Sequence, residues 1–101
     1  MVGSVAQVSD IDEGGSKIVS VEGLEVALFK IQGRIYAIDN ICPHRGGPLG
    51  EGSLEGSIVT CPWHAWQFDV TNGACKTVPE SRQRRYSVKL QGNDILLEVP
   101  S

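Results

Sequence analysis

The chain is poor in sulfur and imidazole: 101 residues hold three cysteines, one methionine and two histidines. Three cysteines is an odd count and too few for a disulfide scaffold. Basic charge is scarce too. Nine Lys and Arg stand against twelve Asp and Glu, a formal charge of −3, so the footprint of a nucleic-acid partner is missing. No apolar run approaches the roughly 20 residues that cross a bilayer, so no membrane partner is expected. The opening Met1-Val2-Gly3-Ser4-Val5-Ala6-Gln7 has no basic segment leading into an apolar one, so no secretory signal is expected. The expected location is the cytoplasm, where disulfides rarely persist and cysteines serve as thiols or metal ligands. A chain of this length reads as one domain, residues 1–101. It has little room for both a substrate pocket and a catalytic apparatus, so any chemistry has to be carried by something other than a large pocket.

Helical periodicity is also lacking. Short apolar runs and period-2 alternation bounded by Gly predict strands and turns. Val2 to Val8 reads as a first strand, and residues 9–16 as a polar turn with one helical turn. Lys17 to Val21 and Leu24 to Ile31 read as strands joined at Glu22-Gly23. Gln32-Gly33 is a two-residue turn into a strand at residues 34–38. Arg85 to Leu90 and Ile95 to Val99 flank a further hairpin turn at residues 91–94. Between these hairpins, residues 40–80 hold all three cysteines, both histidines, both tryptophans and four of the five prolines. The expected fold is all-β: a small antiparallel sandwich or barrel built from residues 1–39 and 81–101, carrying a loop-rich insert over about 40–80. No internal repeat is visible.

Within the insert stand Cys42-Pro43-His44 and Cys61-Pro62-Trp63-His64. The pattern is Cys-x-His, sixteen residues, then Cys-x-x-His. Thiolate and imidazole are the ligand types of zinc and iron–sulfur sites. A zinc site is one reading, and with it a zinc-stabilised binding module. The usual zinc finger, however, pairs Cys with Cys and His with His. One Cys and one His from each loop suits a two-iron cluster in which one iron takes both thiolates and the other both imidazoles.

Residues 42–49 (Cys-Pro-His-Arg-Gly-Gly-Pro-Leu) and 61–66 (Cys-Pro-Trp-His-Ala-Trp) resemble the Rieske [2Fe–2S] family, and the likeness extends over the flanking β frame. The resemblance implies one [2Fe–2S] cluster, with Cys42 and Cys61 on the inner iron and His44 and His64 on the outer one. Two ferric ions and two sulfides with four thiolates sum to about −2, and two neutral imidazoles in place of two thiolates bring the sum to about 0. An electron adds more easily to the neutral set. High-potential members carry an extra cysteine in each loop, joined as a disulfide, and those positions here are Gly47 and Trp63. Their Ser and Tyr hydroxyls near the cluster correspond to Trp66 and Phe68, which have none. The expected potential is therefore at the low end, on the order of −150 mV. Among low-potential members the chain is similar to the ferredoxins of ring-hydroxylating dioxygenase systems. That similarity implies single-electron transfer from an NAD(P)H-dependent flavoprotein ferredoxin reductase to a terminal oxygenase, by a monomer with no catalytic site of its own. The small subunit of assimilatory nitrite reductase, with the same fold, is the alternative.

Other residues have plainer expectations. Cys75 lies outside both motifs and reads as a structural or surface thiol. Pro43, Pro48, Leu49, Pro62 and Trp63 are expected to form an apolar collar, with Arg45 at the docking tip. Trp66 and Phe68 are expected as core beneath the loops. Pro79 is a candidate for closing a third loop over the cluster. Gly46, Gly47, Gly50 and Gly52 would let backbone N–H groups approach sulfur. Arg82, Arg84 and Arg85 read as a solvated face or as a contact for an acidic partner.

Overall fold

Two X-Gly pairs set the first half of the chain. Glu22 and Gly23 have φ of 49° and 83°, and Gln32 and Gly33 have 51° and 76°. Positive φ at both central residues is the type I′ turn, whose twist matches that of the strands it joins. These turns link β2 (Ser16–Val21), β3 (Leu24–Ile31) and β4 (Arg34–Asp39) as an antiparallel meander, in register Val19↔Val26 and Ala27↔Ile38. The computed structural model describes residues 2–42, 46–63 and 65–98. Pro43, His44, Arg45, His64 and Val99, all named in the expectations above, lie outside them.

The meander joins β1 (Val2–Gln7), β8 (Arg85–Gln91) and β9 (Asp94–Glu98) in one sheet of order β1-β9-β8-β4-β3-β2, and the edge strands β1 and β2 approach each other. The first strand ends at Gln7, one residue early. The chain turns there into a short 3-10 segment, Val8–Asp10, and the Asp10 carboxylate accepts the Gln7 N–H at 3.0 Å. Glu13 ties the following loop down by accepting the N–H groups of Gln32 and Gly33 across the second type I′ turn. Those two bonds hold its carboxyl below the ordinary glutamate value.

Residues 40–80 are more ordered than a loop-rich insert. β5 (Ser53–Glu55), β6 (Ile58–Thr60) and β7 (Gln67–Asp69) form a separate three-stranded antiparallel sheet. The two sheets share an apolar layer. Along β3, Val26, Leu28 and partly buried Leu24 face a core with Val19, Ile35, Ala37, Ile95 and Leu97. Ala27, Phe29 and partly buried Ile31 face the opposite way, into a second core with Ile38, Leu49, Val59, Phe68, Val70 and all three cysteines. Burial on both faces turns Val26 to Phe29 into a continuous apolar run, which is how a doubly covered strand reads. Val26, Leu28 and Phe29 each contribute about 1.5–3 kcal/mol by leaving water, and Ala27 less.

Candidate metal centre

Cys42 lies three residues beyond β4 and Cys61 directly follows β6, so the two cysteines leave different sheets. Their hairpins nevertheless repeat one hydrogen-bond frame. The Cys42 N–H donates to the Gly47 carbonyl at 2.9 Å and its carbonyl accepts the Gly46 N–H at 2.8 Å. The Cys61 N–H donates to the Trp66 carbonyl at 2.7 Å and its carbonyl accepts the Ala65 N–H at 3.1 Å. Ile41 bridges Pro48 as Thr60 pairs with Gln67, at the same offsets from the two cysteines. Gly46 and Ala65, both four residues past the cysteine, have φ of 78° and 60°. Ala65 is one of few non-glycine residues in this left-handed region, where a Cβ costs about 1–2 kcal/mol. The repeat is invisible as sequence identity beyond the shared Cys-Pro.

Both thiols are buried, Cys42 at 2% and Cys61 at 3% exposure. The chain opposite Cys61 is close: a Cβ on Gly47 would stand 2.6 Å from Cys61 Sγ and 3.0 Å from Trp63 Cγ. Positions 47 and 63 therefore face each other beside the second cysteine, with an indole and a missing side chain where a bridging pair would sit. Two buried thiols on matching frames, with the backbone drawn in against one sulfur, are a donor set that fits a metal cluster.

Several expectations need correction. The N–H groups of Gly46, Gly50 and Gly52 have oxygen acceptors. They are engaged by the Cys42 carbonyl, by Asn40 Oδ1 at 2.7 Å and by the Leu49 carbonyl at 3.0 Å. Leu49 is core between the sheets, whereas Pro62 and Trp63 are exposed, so the collar is open on the second hairpin. Pro79 is exposed in a turn closed by the Ser81 N–H on the Val78 carbonyl. Phe68 is fully buried and Trp66 packs against the same core, as expected. Cys75 is a core thiol whose Sγ accepts the Val78 N–H at 3.3 Å. Arg82, Arg84 and Arg85 are all exposed, and Arg82 and Arg84 line an open groove with Ile41.

Two residues escaped sequence reasoning, Asn40 and Gln83, the buried polar side chains among the described residues. Asn40 braces the first hairpin by accepting from Gly50 and donating to Glu25 Oε1 at 3.0 Å. An uncharged Gln between Arg82 and Arg84 was the available signal for the other. Asp69, closing β7, is pushed up by burial. The Thr71 hydroxyl and N–H and the Ser57 hydroxyl outweigh that and hold it below the ordinary aspartate value.

The model of the Rieske [2Fe-2S] domain matches residues 2–97. The chain belongs to the Rieske family. The ferredoxin component of the naphthalene 1,2-dioxygenase system of Pseudomonas putida is 38% identical over 92 residues, covering 90% of this chain and 88% of that protein. Of solved structures, the ferredoxin of carbazole 1,9a-dioxygenase from Nocardioides aromaticivorans IC177 is 31% identical, with a TM-score of 0.89 and 96% of each chain covered. The Sphingomonas yanoikuyae B1 ferredoxin is 26% identical, with a TM-score of 0.91, covering 99% of this chain and 100% of that one. This Rieske chain is an electron carrier of the ferredoxin kind, and its group is one [2Fe–2S] cluster. No helix among the described residues is long and apolar enough to cross a membrane.

Proposed function

We propose that this chain is a single Rieske domain, monomeric and cytoplasmic, without a catalytic site of its own. It passes single electrons from an NAD(P)H-dependent flavoprotein reductase to a terminal oxygenase of the ring-hydroxylating dioxygenase type. In this reading Cys42 and Cys61 hold the inner iron, and His44 and His64 hold the outer one. The observation that carries it is the repeated cysteine hairpin with Gly47 drawn in against Cys61 Sγ. The bound cluster supplies reversible one-electron transfer. The chain supplies two buried thiolates, an apolar floor beneath them and a solvent-facing edge.

That edge supports the carrier reading. Ile41 precedes Cys42 and Trp63 precedes His64, and these are two of the three exposed large hydrophobic side chains among the described residues, at 45% and 53%. Apolar side chains standing out beside a redox centre suit brief docking, in which a small wet contact forms and parts quickly. Arg82 and Arg84, beside Ile41, would orient a partner of opposite charge.

The test is EPR of the dithionite-reduced protein together with iron and sulfide analysis. A Rieske-type signal with two irons per chain is expected. Cys42→Ser, Cys61→Ser, His44→Ala and His64→Ala should each abolish it. A colourless protein containing zinc would refute the reading.

A further inference from the structure

The two cysteine hairpins leave different sheets, and among the described residues no named strand pairing joins the approach to Cys42 with the strands that flank Cys61. The apolar core between them supplies attraction but little direction. Among the described residues, Gln83, which lies outside both hairpins, supplies a directional link. Its Nε2 donates to the carbonyls of Asp39 at 2.9 Å and Ile41 at 2.8 Å, the last stretch of chain before Cys42. Its backbone N–H donates to the Gly73 carbonyl at 2.7 Å, and the Gly73 N–H donates to the carbonyl of Asp69, the last residue of β7. Its Oε1 accepts the Arg84 N–H at 3.1 Å. One residue thus joins the approach to the first cysteine with the strand that closes the second hairpin.

We infer that Gln83 is a positioning residue that sets the spacing of Cys42 and Cys61. The inference rests on the ligand assignment proposed above. The chemistry of the site selects this side chain. Two backbone carbonyls need two donors from one neutral group, and a primary amide is the side chain that provides them. Asn provides the same donors one methylene short. A residue that merely satisfied buried carbonyls would stabilise the fold without affecting the geometry at the thiols, and the two roles separate experimentally.

The test compares the loaded wild type with Gln83→Met, which keeps length and loses both donors, and Gln83→Asn, which keeps the donors and loses reach. Leu97→Val, in the opposite core, is the control for loss of stability alone. The readouts are EPR linewidth after dithionite, the rate of bleaching by an iron chelator, and the thermal midpoint. Gln83→Met is expected to broaden the signal and bleach about tenfold faster, the scale set by leaving a buried carbonyl unpaired. Gln83→Asn should fall between it and wild type. Leu97→Val should lower the midpoint with linewidth and bleaching unchanged. Wild-type linewidth and bleaching in Gln83→Met would overturn the inference, as would equal changes in Leu97→Val at equal loss of midpoint. If Gln83→Met takes up no cluster, a Gln83→Asn protein equal to wild type overturns it. Absence of a Rieske-type signal from the wild type would overturn the ligand assignment and this inference with it.

Discussion

Gly47→Ala is the sharpest perturbation the geometry offers. φ at Gly47 is not among the positive values, so an alanine meets no backbone strain there. The penalty is steric. The new methyl would stand 2.6 Å from Cys61 Sγ, 3.0 Å from Trp63 Cγ and 3.1 Å from Trp63 Cβ. Non-bonded heavy atoms settle at about 3.5–4.0 Å, so the sulfur has to yield by roughly 1 Å. A thiol with no bound metal can yield by rotating about its Cα–Cβ bond, whereas a thiolate fixed to iron cannot. Overpacking of this kind costs about 1–3 kcal/mol. The metal-free chain should therefore lose little, and cluster uptake should lose much. Iron and sulfide per chain, measured beside the thermal midpoint of the metal-free protein, read the two separately. Cluster content should fall several-fold with the midpoint shifted by a few degrees at most. Adding Trp63→Ala relieves the indole contact but not the sulfur contact, so the double variant should stay poor in iron. Full loading of Gly47→Ala, or full rescue by Trp63→Ala, would refute the argument that the sulfur needs this space.

Cys75→Ser should keep the cluster, because Cys75 stands outside both repeated frames and its Sγ accepts a backbone N–H that a hydroxyl can also accept; loss of iron would refute this. Ala65→Gly should be neutral or stabilising by about 1 kcal/mol in chemical denaturation, against the usual cost of Ala→Gly, because φ at Ala65 is 60°. Glu13 and Asp69 both have carboxyl values lowered in the fold, so the stability they contribute is present above the ordinary values of 4.5 and 3.8 and is lost as pH falls through the lowered ones. The thermal midpoint should be flat down to about pH 5 and then decline, and a midpoint unchanged to about pH 3 would contradict those hydrogen bonds. The reduction potential should lie on the order of −150 mV, since neither Trp66 nor Phe68 brings a hydroxyl and the N–H groups of Gly46, Gly50 and Gly52 are engaged by oxygen; a clearly positive midpoint in a redox titration would sink this.

The base of the fold was legible because its signals are local. Glu22-Gly23 and Gln32-Gly33 announce their turns, and the strands they join are six to eight residues long, enough for a period to show. β5, β6 and β7 are three residues each, too short for alternation to register, so the insert read as loops. The family's cysteine pattern was legible for a different reason: metal ligation restricts residue type at fixed spacing. What the sequence could not display was the bracing. Asn40 and Gln83 act through contacts ten to forty-four residues away, and no spacing rule marks an amide that will face two distant carbonyls. The glycines misled because only a backbone trace shows which acceptor an N–H finds.

The repeated hairpin bears on why so small a chain suffices. Each frame satisfies its own closing N–H and C=O groups, so neither hairpin depends on a ligand to pair its backbone ends. Both are footed on one apolar layer whose central strand is covered on both faces. A site held this way has little to rearrange when its charge changes by one, which is what a carrier requires and an enzyme with a moving substrate does not. The transition from core to solvent is also abrupt. Cys61 is 3% exposed, while Pro62 and Trp63, the next two residues, are exposed. The buried Cys61 thiol thus stands directly before exposed chain on the second hairpin. In equal frames the histidine stands two places after the first cysteine and three after the second. In the proposed assignment that offset would bring the two histidines to the outer metal from inequivalent positions, while the cysteines occupy equivalent ones in their frames.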